Sequence, residues 1–201
     1  MSDIPVNLVF EDVLSEAVLH KLLRSSGRNY RIGVSYSGHG CSWIRNKITG
    51  LNKAAKGMPY LVLTDLDKAQ CAPSVVREWI ADRKHANLLL RVAVREVEAW
   101  LLACRREFAE FLGIAEIRIP TDVDSIENPK ELVVSLARRS RRKNLRTDIV
   151  PAVGSTARVG PDYNGRLIEF VEECWQPEVA QERSDSLRRA RTALAEFSPV
   201  Y

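Results

Sequence analysis

Short apolar runs alternate with longer stretches of helical period along the first half of the chain. PVNLVF (5–10), YRIGVSY (30–36), the run opening PYLVLTDLDKAQ (59–70) and NLLLRVAV (87–94) have strand length and are rich in branched and aromatic residues. Between them, SEAVLHKLLRSS (15–26), CSWIRNKITGLNKAAKG (41–57) and APSVVREWIADR (72–83) carry apolar residues at helical spacing, and EVEAWLLACRREFAEFLG (96–113) follows the fourth run. In the first of these, Val18, Leu19, Leu22 and Leu23 fall on one face. Ser15 suits an N-cap, Pro73 a first helical turn, and Gly27, Gly57 and Gly113 suit helix stops. Strand and helix thus alternate four times over residues 1–113. That order predicts an α/β fold with a four-stranded, mainly parallel sheet, helices on both faces and right-handed crossovers.

Beyond residue 113 the pattern changes. IRIPTDVDSIENP reads as loop, and NPKELVVSLARRSRR (128–142) as a basic helix with Asn128 as cap and Pro129 at its first position. VGSTARVGPDYNG (153–165) is a glycine-rich loop, followed by two helices over 164–174 and 184–197, the second capped by Ser184. The expected organisation is an α/β core over 1–113 with a helical extension over 114–201 packed on it.

Composition narrows the class. The 201 residues are 45% hydrophobic and 28% charged, as in ordinary globular domains. No apolar run approaches the ~20 residues that cross a bilayer, and the first residues, MSDIPVNLVFED, lack the basic-then-apolar order of a secretory leader. A cytoplasmic protein without membrane association is the expectation. Cys41, Cys71, Cys104 and Cys174 form no paired spacing, and His20, His39 and His85 no cluster, which argues against a zinc site. The net charge of +4 is compatible with nucleic-acid contact. It is unevenly spread, with RRSRRKNLR (138–146) and SLRRARTAL (186–194) the densest basic segments.

Ligands of open parallel sheets bind beyond the carboxyl ends of the strands. Acids fall there in three places: Glu11 and Asp12, Asp65 and Asp67, and Glu96 and Glu98. Carboxylates in this arrangement suit a hard cation such as Mg²⁺, which keeps several waters and binds substrate phosphates. Asp65 and Asp67 are equally compatible with turn chemistry, and Glu96 and Glu98 with the acidic first turn of a helix. Trp100 reads as core. Lys130, Arg158 and Arg166 are candidates for gripping phosphate, while SGHG (37–40) has glycines but no dinucleotide or Walker spacing.

A Glu after the first strand, then a helix, then TDLD closing the third strand resembles the Toprim (Rossmann-like) domain of topoisomerases, primases and overcoming-lysogenization-defect-type nucleases. LVFEDVLSEAVLHKLL, TDLDKAQCAPSVVREWI, VAVREVEAWLLAC, NPKELV and VGPDYNGRLIEFV together resemble stand-alone bacterial Toprim-like proteins of unassigned function. Asp12 stands where the family has glycine, and Cys104 where relatives often carry aspartate. The resemblance implies a phosphoryl-transfer enzyme using Mg²⁺ (or Mn²⁺), a nuclease acting on DNA or RNA, with phage defence as a setting. In it, Glu11 is a general acid/base or metal-organising carboxylate, Asp65 and Asp67 hold the metal, Glu98 belongs to the catalytic set, and Glu16 is a further acidic candidate. The chain carries no ATPase motif, so an ATPase partner would be a separate chain. The alternative is a non-catalytic module that binds a nucleotide or such a partner.

Overall fold

The computed structural model describes residues 3–38, 40–80 and 83–200. Four strands, β1 (Ile4–Phe10), β2 (Tyr30–Ser37), β3 (Tyr60–Asp65) and β4 (Leu88–Ala93), form an all-parallel sheet in the order β2-β1-β3-β4. Three helices connect them: α1 (Val13–Arg24), α2 (Cys41–Ala54) and α3 (Ala72–Trp79). β1, β3 and β4 are buried almost throughout, as their unbroken apolar runs require. Val9, Tyr60, Val62, Leu88 and Leu90 pack with Ile44 and Ile48 of α2 and with Ile80. Leu8 and Leu61, one residue out of phase, point to the opposite face. α1 packs on β1, β2 and β3 through a face that buries Val18, Leu19 and Leu22.

β2 is an edge strand and is mostly exposed. Its pairing to β1 slips by one residue, so that Gly33 and Val34 both face Asn7. The buried Asn7 side chain fills the gap, its Oδ1 accepting the Val34 N–H at 2.8 Å. A Cβ on Gly33 would lie 2.5 Å from that oxygen, which accounts for glycine there.

The chain divides into two compact units. The sheet unit runs through Val94 and regains the chain from Arg188 onward; residues Arg95–Leu187 form the second unit. The segment expected to be one helix over 96–113 therefore lies in the second unit, and it is two helices, α4 (Val97–Leu102) and α5 (Arg105–Leu112). They part at Ala103 and Cys104, where the buried Cys104 thiol meets the Glu107 carboxylate at 3.1 Å and the Gln176 carbonyl at 3.9 Å. The basic helix is shorter than expected: α6 spans Pro129–Arg138 and a separate α7 spans Lys143–Ile149. A short α9 (Pro177–Ala180) stands between α8 (Tyr163–Glu173) and α10 (Asp185–Glu196). The second unit is built on Trp100, Trp175, Phe108 and Phe170, all fully buried. Trp100 donates its indole N–H to Ser186 Oγ at 2.7 Å, and Trp175 donates to the Trp100 carbonyl at 3.1 Å. Trp100 is a core residue.

Candidate functional site

From β1 the chain goes one way across the sheet, through α1 to β2. It then crosses back through α2 to β3 and continues to β4. Right-handed crossovers in opposite directions put α1 and α2 on opposite faces. The carboxyl ends of the adjacent strands β1 and β3 are therefore the topological switch point, where doubly wound sheets open a ligand crevice. Glu11 follows β1 at this point and Asp65 ends β3.

Glu11 Oε1 accepts the Thr64 hydroxyl at 2.5 Å and the Asp65 N–H at 2.9 Å, which ties the end of β1 to the end of β3. Burial raises the Glu11 carboxyl above its ordinary value; the Thr64 and Asp65 bonds oppose this, and the charges of Asp67 and Asp12 add to it. Asp12 itself caps α1, its Oδ1 accepting the Ser15 N–H at 2.8 Å. The cap expected at Ser15 is thus Asp12, so Asp12, where the Toprim resemblance leads one to expect glycine, has a local role. Glu16 sits one turn on, within 3.9 Å of His20 Nε2.

The two aspartates of TDLD are not presented from one extended strand. The Leu66 N–H bonds to the Ala93 carbonyl at 2.8 Å, and the chain then turns, closing with the Ala69 N–H on the Leu66 carbonyl at 2.9 Å. Asp67 occupies that turn in the left-handed region, at φ 49°, with its side chain exposed. Aspartate tolerates this conformation better than most residues. Cys41, the first residue of α2, belongs to the same neighbourhood. Its thiol is raised by burial and then by the charges of Glu11 and Asp67, and it hydrogen-bonds to Asp67. Sequence reasoning passed over Cys41 and Thr64; the only trace of them was their place in SGHGCSW and TDLD. His39 lies outside the described residues. Among the described residues, no three His, Cys, Asp or Glu side chains gather closely enough to hold a metal ion by themselves.

The remaining site candidates belong to the second unit. Glu98, in α4, is only 1% exposed. Its Oε1 accepts the Tyr163 hydroxyl at 3.0 Å and lies 3.5 Å from Lys130 Nζ, and its Oε2 has no partner. Burial is the main reason its carboxyl is raised, with Lys130 opposing. Lys130 is thus turned toward a buried carboxylate, and its N–H donates to Glu96 Oε2 at 2.8 Å. Glu96 therefore caps α6, where Asn128 was expected and makes no side-chain cap bond. Arg166 is held by Asp148 at 2.8 Å and Glu169 at 2.7 Å, an arrangement that matches its charge within the unit. Arg158 is exposed and lines a groove of about 740 Å³ with Arg138, Glu131 and Val153. Cys104, where the Toprim resemblance leads one to expect aspartate, has its thiol pushed up to about 12, chiefly by burial, which disfavours the thiolate.

No family model, no curated protein and no solved structure matches the chain. No helix among the described residues is long and apolar enough to cross a membrane.

Proposed function

We propose that the β1/β3 switch point binds a divalent cation, Mg²⁺ or Mn²⁺, together with a phosphate-bearing substrate, and that the protein is a nuclease of Toprim type. The observation that carries this reading is the bond from the Glu11 carboxylate to Thr64 and Asp65, which joins two acid-bearing strand ends at the place where α/β sheets take their ligands. Mg²⁺ is usually held by one or two protein carboxylates plus waters and substrate phosphate, so a complete protein cage is not needed. Asp65 and Asp67 would hold it, with Glu11 beside them. Burial is the main cause that raises Glu11 and Cys41, and the neighbouring negative charges that add to it are what a cation would offset. When bound, the metal would activate water and offset charge on the phosphoryl group. Glu11, half-buried and raised, is suited to move a proton at its carboxyl. Thr64 and the Asp65 amide hold that carboxyl in place.

A second reading, a non-catalytic module that binds a nucleotide or a separate ATPase chain, is favoured by one feature. One oxygen of Glu11 is already engaged, and no three ligands are gathered among the described residues. Incubation of the purified protein with plasmid DNA and with RNA separates the two. With Mg²⁺ or Mn²⁺ the nuclease cuts; with chelator, or in Asp65→Ala/Asp67→Ala, cutting falls by at least about 10²-fold. Equal cutting by that variant, or none by the wild type alongside intact nucleotide or partner binding, contradicts the enzyme.

A further inference from the structure

The structure assigns a second ligand site, away from the acids, to a cavity of about 540 Å³ in the second unit lined by Arg118, Arg139 and Arg141 with Gly113, Ile114 and Ala115. We infer that it binds the phosphodiester backbone of a nucleic acid.

Three arginines line this cavity from two segments. Arg118 ends a 3₁₀ turn (Glu116–Arg118), and Arg139 and Arg141 flank Ser140 between α6 and α7. All three are exposed, and none has a side-chain hydrogen bond or ion pair among the described residues. This sets them apart from Arg105, Arg106 and Arg166, each matched to a carboxylate within 3.1 Å. The acid nearest to Arg118 along the chain, Glu116, is already taken by Arg105 at 3.1 Å.

No acidic side chain lines the cavity, and carbonyls at the end of α5 are capped. α5 ends in a Schellman arrangement. Gly113 is left-handed at φ 66°, its N–H bonds to the Glu110 carbonyl at 3.1 Å, and the Ile114 N–H bonds to the Ala109 carbonyl at 3.0 Å. The Leu112 carbonyl is capped by the buried Ser140 hydroxyl at 2.5 Å, and Ser140 Oγ accepts the Arg142 N–H at 3.0 Å. Ser140 thereby fixes the loop that carries Arg139 and Arg141. The backbone of the loop is thereby held, and it is the arginine side chains that become ordered on binding.

Two features point to a polymeric phosphate ligand. The unpaired cations continue past the cavity through the exposed Arg138, Arg142 and Lys143. The lining, apart from arginine, is glycine, isoleucine and alanine, with no aromatic ring or side-chain acceptor to recognise a base. Such a surface reads backbone charge and not sequence.

The test is fluorescence anisotropy with a labelled oligothymidylate strand, in chelator so that no cleavage intervenes, over a range of KCl concentrations. The outcome is thus independent of the metal site. Arg118→Ala/Arg139→Ala/Arg141→Ala is compared with Lys47→Ala/Lys53→Ala/Lys56→Ala, which removes the same charge from exposed positions of the sheet unit. At about 0.1 M KCl the arginine variant should bind at least about tenfold more weakly than wild type, and its slope of log K against log salt should be shallower by about 2. The lysine variant should stay within about twofold of wild type. Should the triple change impair folding, Arg139→Gln alone should give about one third of the slope loss. Equal weakening in the two triple variants, absence of wild-type binding, or binding of heparin but not of the oligonucleotide would each overturn the inference.

Discussion

Glu11 is the residue on which the account turns, and its environment sets opposing demands. Burial raises its carboxyl, and the charges of Asp67 and Asp12 raise it further, while bonds from Thr64 and Asp65 hold the charged form. A carboxyl raised in the folded state favours folding most when protonated. Its contribution is present below the ordinary value of 4.5 and is lost as the pH rises through the folded-state value. Glu11→Gln keeps an acceptor for Thr64 and Asp65 and removes the charge. In chelator at neutral pH this variant should melt above the wild type, and the difference should close toward acid. Mg²⁺ should raise the melting temperature of the wild type and leave that of the variant nearly unchanged. A variant that melts below the wild type at neutral pH would mean that the acceptor bonds, and not burial of the charge with its acidic neighbours, dominate at this position. The acids Glu11, Asp65 and Asp67 were legible in the sequence because they follow apolar strands. Their surroundings were not. The Thr64 bond depends on β1 and β3 becoming neighbours, and the turn at Asp67 follows a bond from Leu66 to Ala93 at the end of β4, whereas the Asp12 cap is local to the start of α1. Arg166, a candidate phosphate ligand, is held by Asp148, 18 residues away in a segment with no visible tie to it, and by Glu169, whose i,i+3 helical spacing was legible.

The elements of the sheet unit follow from sequence pattern, because strands buried on both faces are continuous apolar runs and the helices between them have one apolar face. The second unit was harder to read. EVEAWLLACRREFAEFLG has an unbroken helical pattern, yet it divides at Cys104, whose contacts come from Glu107 and from Gln176 far along the chain. NPKELVVSLARRSRR reads as one basic helix over 128–142, yet α6 ends at Arg138, Ser140 turns to cap Leu112, and a new helix starts at Lys143. In the glycine-rich loop that ends in VGPDYNG, Gly160 has a structural reason. A Cβ on Gly160 would stand 2.3 Å from the Asp148 carbonyl oxygen and 2.7 Å from the Val150 nitrogen, both backbone atoms at the end of α7. The Gly160 N–H also bonds to the Ile149 carbonyl at 2.8 Å. Gly160→Ala should destabilise the protein by about 2–3 kcal/mol, through forced separation of this loop from α7. Chemical denaturation checks this; a loss under about 0.5 kcal/mol would show that the close approach is easily relieved.

On the scale of the whole chain, the alternation of strands and helices announced the α/β class but not the strand order, because no local pattern records which strands become neighbours. The order β2-β1-β3-β4 is what brings Glu11 beside Thr64 and Asp65. It converts two separate acidic strand ends into one candidate centre. The net charge of +4 likewise gains meaning only from its distribution. Arg105, Arg106 and Arg166 are matched by carboxylates, whereas Arg118, Arg139 and Arg141 line one cavity without a carboxylate partner among the described residues. The central claim is that Asp65 and Asp67 hold one divalent cation beside Glu11. An anomalous difference map from a crystal soaked in Mn²⁺ tests it most directly. The account predicts a peak within coordination distance of Asp65 and Asp67, with Glu11 alongside, that disappears in Asp65→Ala/Asp67→Ala. A saturating soak with no peak at the β1/β3 edge, and with Asp67 unchanged in its left-handed turn, would contradict it.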